Sequence, residues 1–207
     1  MENNADGLLI ARICHDLKNC LSVVAFLKED LLEGTVDSKE GLDALVKSVD
    51  KLNLRLSFFQ NLAVDGSHIG NLYDMLRNMC IGHDIKLEFD ITSIDSENDG
   101  IIQNIVCGIL YLIVVDALRS GNACTITAVS SNQAERIEII ISDMTVEDLP
   151  SEVLDISEMD TVNVTVVNAL ALYIKRVLTR HGYIANIFDE LDNNSNSNVK
   201  IVLKKLI

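Results

Sequence analysis

Ile10-Ala-Arg-Ile-Cys-His-Asp-Leu-Lys-Asn-Cys-Leu-Ser-Val-Val-Ala-Phe-Leu-Lys-Glu-Asp-Leu31 is the stretch from which the architecture follows. Its apolar positions Ile10, Ile13, Leu17, Cys20, Val24, Leu27 and Leu31 recur at alternating steps of three and four. That is the a/d seam of a bundle helix, and it predicts a helix over residues 7 to 33. Residues 39 to 64 repeat the pattern with Leu42, Leu45, Val49, Leu52, Leu56, Phe59 and Ala63. Between them, Gly34 suits the residue after a helix end, and Asp37 with Glu40 three places on resembles a capping box. So short a connection makes the two helices antiparallel neighbours, each about 40 Å long.

A two-helix hairpin cannot cover its own seams. Leu9, Leu21, Phe26, Val46 and Phe58 widen the apolar flank further. A second copy of the hairpin, giving a dimeric four-helix bundle, is the simplest way to bury it. The alternative is burial against the rest of the same chain.

Around residues 65 to 70 the pattern changes. Residues 71 to 81 read as a short helix, and Ile85 to Ile91 alternates as a strand. Ile101 to Ser120 reads as a buried helix, followed by a hairpin of Cys124 to Ser130 and Arg136 to Ser142. Asn163 to Arg180 is the next long helix, and Tyr183 to Phe188 pairs with Val199 to Leu206. The Asn- and Ser-rich segment Asp192 to Asn198 reads as the loop between them. The expected fold is therefore α+β, a hairpin over residues 1–66 and a helix-on-sheet sandwich over residues 70–207.

Composition narrows the function from the other side. The 207 residues carry 17 basic and 31 acidic side chains, a net charge of −14, yet 48% are hydrophobic. The apolar fraction suits a packed core rather than a disordered acidic chain, and the acidic excess repels phosphate backbones. No apolar run approaches ~20 residues, so no membrane partner is expected. Glu2 and Asp6 stand where a secretory signal would be basic. Five cysteines, odd in number and without a CxxC, read as reduced thiols of a cytoplasmic protein rather than disulfides or a zinc site.

Numbering the seam from Ile10 as a and Ile13 as d places His15 at f, away from the seam. Arg12 lies three residues before it and Asn19 four after, so the three share one face, which Asp16 and Lys18 flank. An isolated surface histidine is ordinary. An exposed imidazole on a rigid helix is also what a phosphoryl acceptor needs, because a groove would keep out a docking protein domain. Neutral imidazole is the side-chain nucleophile suited to near-neutral pH.

The stretch Ala11-Arg-Ile-Cys-His15-Asp-Leu-Lys-Asn19 resembles the H-[DE]-x-x-[NT] phosphoacceptor box of two-component histidine kinases. More closely, it resembles the R-x-C-H-D-L stretch of ChpT-type histidine phosphotransferases of alphaproteobacteria. Two later anchors extend the likeness. Asp116-Ala-Leu-Arg-Ser-Gly121 resembles the end of the kinase Asn-box helix, and Lys175-Arg-Val-Leu-Thr-Arg-His181-Gly182 the end of the helix behind the ATP lid. The nucleotide positions do not follow. The paired asparagines fall on Leu112 and Asp116, D-x-G-x-G falls on Asp143-Met-Thr-Val-Glu147, and G-x-G falls on Asn168-Ala-Leu170. Those glycines let backbone amides approach base and phosphates where a Cβ would clash. Asp143 to Asp160 adds seven acidic residues and no basic one, which would repel a triphosphate.

The resemblance implies a homodimer whose kinase-like domain has no nucleotide site. By it, His15 takes a phosphoryl group from the receiver aspartate of a hybrid histidine kinase and passes it to a response regulator. Asp16 and Asn19 would assist, and Arg12 or Lys18 would steady phosphoryl oxygens. No intrinsic cofactor is implied: Mg²⁺ would belong to the partner receiver, and ATP is not used. Two other functions fit the same residues, a noncatalytic dimeric module that binds receivers and a residual ATP-dependent histidine kinase.

Overall fold

The turn that joins the first two helices is set by two residues. Helix α1 (Asn3–Glu33) ends at Gly34, whose φ of 71° is open to a residue without a Cβ. The Thr35 amide then donates to the Asp30 carbonyl at 3.0 Å. Helix α2 (Ser38–Leu62) is opened by Asp37, whose Oδ1 accepts from the amides of Lys39 at 2.9 Å and Glu40 at 3.3 Å. The computed structural model describes residues 3–35, 37–62, 69–90, 99–121, 123–131, 136–158, 169–191 and 197–206.

The remainder runs α3 (Ile69–Cys80), β1 (Ile85–Asp90), α4 (Asp99–Ser120), β2 (Cys124–Ser131) and β3 (Arg136–Ser142). A 3-10 turn (Val146–Asp148) leads into α5 (Ser151–Glu158), then α6 (Ala169–Arg180), β4 (Tyr183–Leu191) and β5 (Ser197–Lys205). The five strands form one sheet in the order β1-β2-β3-β5-β4. Strands β1 and β2 are parallel, with Ile85 opposite Cys124, and α4 supplies the crossover that a parallel pair requires. The other pairings are antiparallel. This is the expected α+β architecture.

One sheet face carries the core. Ile137, Ile139 and Ile141 of β3 and Val199, Ile201 and Leu203 of β5 point to it and are buried against the helices. Helix α4 is apolar on all sides and lies at the centre. It is long and apolar enough to cross a membrane by length and composition, yet most of it is buried inside the protein, as a core helix is. Gly108 lets α6 approach it: a Cβ there would stand 3.2 Å from Ile174 Cδ1.

The opposite sheet face carries a charged staple across three strands. Glu138 accepts from Arg136 at 2.6 Å and from Lys200 at 3.0 Å, and Lys200 also reaches Glu190 at 3.4 Å. Partial burial alone would raise the Glu138 pKa, but its bonds to Lys200 and Arg136 outweigh that and hold the carboxyl below its usual range.

Three readings of the sequence are corrected. Residues Ser151–Glu158, read only as part of the acidic run Asp143 to Asp160, form a helix that buries Val153 and Ile156. Ser197 and Asn198, assigned to a loop, begin β5 because they pair with Leu191 and Glu190. Phe58, counted among the flank awaiting a second copy, is fully buried in its own chain. The expected helical residues 163–168 and loop residues 192–196 lie outside the described residues.

Candidate functional site

The seam predicts that His15 points outward, and its side chain is 56% exposed. The heptad geometry explains this, since Ile13 two residues earlier turns inward and packs against the core. His15 Nδ1 lies 3.4 Å from Asp16 Oδ1 and 3.5 Å from the Asn19 amide nitrogen. Both contacts are long, and both fall on the same ring nitrogen. Nε2 has no hydrogen-bond partner among the described residues. The arrangement thus holds one nitrogen of the imidazole and leaves the other open.

Asp16 departs from the expectation of a flanking surface residue: it is 7% exposed. The heptad puts it at g, beside the seam, and α6 packs along α1. The carboxylate therefore approaches His15 from the packed side while Asn19 approaches along the helix one turn on. Lys18 is exposed on the neighbouring flank. The Arg12 side chain lies outside the described ones. Of the five residues singled out, the structure brings together His15, Asp16 and Asn19.

What sequence reasoning missed is α6 as the neighbour of this helix. It carries exposed Arg176 and Arg180 in a chain that is otherwise acidic. No local signal links α6 to α1; only the packed tertiary structure does.

The positions expected to replace a nucleotide site can also be placed. Leu112 is buried in α4, and Asp116 pairs with Arg119 on the same helix. Asp143 is exposed and takes a φ of 61°. From there the chain crosses the end of the sheet, the Met144 amide donating to the Ser197 carbonyl at 3.2 Å and the Val146 amide to Asp189 Oδ1 at 2.7 Å. Thr145 donates through its amide at 2.9 Å and its hydroxyl at 2.7 Å to Asp148 Oδ2, which lowers the pKa of that carboxyl. Met144, Leu149, Val153 and Ile156 then turn inward and are buried against the core. The described residues where a lid would lie are bonded to the sheet end at their start and packed by their own apolar side chains. Among the described residues no cluster of three or more His, Cys, Asp or Glu is arranged to hold a metal ion.

No family model matches the sequence, and no curated protein matches it. Solved structures do. A bacterial phosphotransferase superposes with a TM-score of 0.72 at 14% identity, covering 97% of this chain and 97% of the other. The chain has the fold of a bacterial phosphotransferase. The Acinetobacter baumannii histidine kinase AdeS also matches, at a TM-score of 0.45 and 11% identity, over 93% of this chain and 98% of that one. The assignment of the phosphotransferase fold rests on the first of these, which is matched end to end, hairpin and sheet together.

Proposed function

We propose that this chain is a histidine phosphotransferase of a two-component phosphorelay, of the ChpT type. The observation that carries the reading is the state of His15: exposed on a rigid helix, Nδ1 facing the Asp16 carboxylate with Asn19 beside it, and Nε2 without a hydrogen-bond partner among the described residues. In the first transfer the Nε2 lone pair attacks phosphorus in line, the N–P bond forms, and the P–O bond to the receiver aspartate of a hybrid kinase breaks. In the second, a response-regulator aspartate attacks, the N–P bond breaks, and neutral imidazole is returned. Any Mg²⁺ would belong to the partner receiver and would supply charge neutralisation of the phosphoryl oxygens there. Arg12 or Lys18, on the same helix three residues either side of His15, would steady phosphoryl oxygens.

Phosphate then comes from a phosphorylated partner and not from ATP. The inward-packed segment Asp143–Glu158 and the loss of the family's glycines support this. A dimer completes the hairpin. Leu21, Phe26, Leu42, Val46 and Leu56 are exposed in the single chain, on the two helices that the seam pattern assigns to a four-helix bundle. A protein of this kind works in the cytoplasm, where its receiver partners are.

The test is transfer of label from a phosphorylated hybrid-kinase receiver to the purified protein and on to candidate regulators. An acid-labile label on the wild type, absent from His15→Ala, is expected. Label arriving from ATP alone would establish an autokinase instead. Normal signalling through His15→Ala would establish a noncatalytic adaptor.

A further inference from the structure

The hairpin and the α/β half share one core, and they join it through an aromatic cluster. Phe58 of α2 stacks on Tyr111 of α4, with ring centroids 4.8 Å apart and planes 15° apart. Phe59 meets the same ring edge-on at 5.0 Å, and Phe58 at 6.0 Å. All three are buried. Leu62, one turn on, is buried too, and Ile13 of α1 packs against the same core. Towards the interhelical turn the hairpin stands clear of the α/β half, with Leu21, Phe26, Leu42 and Val46 exposed.

Counting outward from the turn, residue 15 of α1 stands level with residue 56 of α2, so Phe58 and Phe59 lie about 3 to 4.5 Å further along the hairpin axis. The α/β half therefore grips the hairpin at the level of the phosphoacceptor. An enzyme that phosphorylates itself from ATP must let its two halves part so that nucleotide can reach the histidine. Parting here would expose Phe58, Phe59, Leu62 and Tyr111 to water, which the hydrophobic effect opposes. A relay needs the reverse, because a docked receiver must meet a histidine that does not shift.

We propose that the α/β half is a fixed brace for the helix bearing His15, and that Phe58, Phe59 and Tyr111 are positioning residues for phosphoryl transfer. The proposal rests on the relay reading. It assigns the degenerate domain a mechanical role at the site.

Amide hydrogen exchange on the full chain tests it without any phosphoryl donor, so its outcome stands apart from that of the relay assay. In the wild type, residues 54–60 and 104–114 are expected to exchange at one common slow rate. An α2 segment opening tenfold faster than α4, with α4 still protected, would overturn the brace. Tyr111→Leu keeps an apolar side chain but removes the stack. It should lower protection in both segments by about tenfold and reduce the kcat of transfer while KM for the receiver holds. Phe59→Leu should do the same more weakly, and Tyr111→Phe should behave as wild type. A kcat unchanged in Tyr111→Leu and Phe59→Leu, despite lost protection, would refute the positioning role.

Discussion

In the proposed relay, His15 would react through Nε2, because Asp16 and Asn19 both stand on the Nδ1 side of the ring. The outward position of His15 was legible because a residue two places beyond a seam residue must leave the seam. The burial of Asp16 was not, since a g position is covered or bare according to what packs beside the helix. The cysteines give a prediction at this scale. Cys14, beside the histidine, is exposed, whereas burial pushes the Cys80 thiol up to about 11 and the Cys107 thiol up to about 12. Burial and the Asp143 charge also raise Cys124. A raised thiol pKa means less thiolate at any given pH and a slower reaction. Treatment of the native protein at pH 8 with a disulfide reagent should therefore modify Cys14 and spare Cys80, Cys107 and Cys124, as read by peptide mass spectrometry. The adduct should also block phosphoryl transfer by crowding His15.

Among the elements, the seam helices, α3, α4 and the five strands were readable and α5 was not. Helices α1 and α2 repeat their seam over several turns, and both ends of their connection carry capping residues. Helix α5 has eight residues and two buried apolar positions, too few for a period to show, and its acidic residues merged it into the acidic run Asp143 to Asp160. Its packing can be measured. Ile156→Ala should cost about 2 to 4 kcal/mol in denaturant unfolding, whereas a freely solvated lid would make the change neutral. Gly108 sets the spacing between α4 and α6, so Gly108→Val should destabilise by about 1 to 3 kcal/mol through the clash with Ile174. On the exposed hairpin face, Phe26→Glu should convert a dimer into a species of 22.9 kDa in light scattering, with helix content kept. A wild type already at that mass would end the shared-bundle reading.

For the whole molecule, the charged staple on the bare sheet face sets a pH window. Glu138 titrates below its usual range in the folded state, so its contribution is present above the ordinary glutamate pKa. It is lost as pH falls through the lowered value. Lys200, raised chiefly by its hydrogen bond to Glu138, contributes below the ordinary lysine pKa and loses that contribution as pH rises through the raised value. Urea midpoints should therefore fall on the acid side below about pH 4.3, and Lys200→Met should flatten that part of the acid limb. The net charge of −14 divides the same way as the fold, with −4 over residues 1–66 and −10 over the rest. The hairpin that carries His15 is the more neutral part. By itself the sequence determined the periodic hairpin, the outward histidine, and the order of the strands and longer helices. Each of these depends on neighbours within a few turns of the same element. Only the tertiary structure decided that Asp16 is buried, that α5 fills the core, and that Phe58, Phe59 and Tyr111 lock the two halves together. Those outcomes depend on contacts between residues far apart in the chain, and local periodicity carries no information about which distant surface will cover a given face.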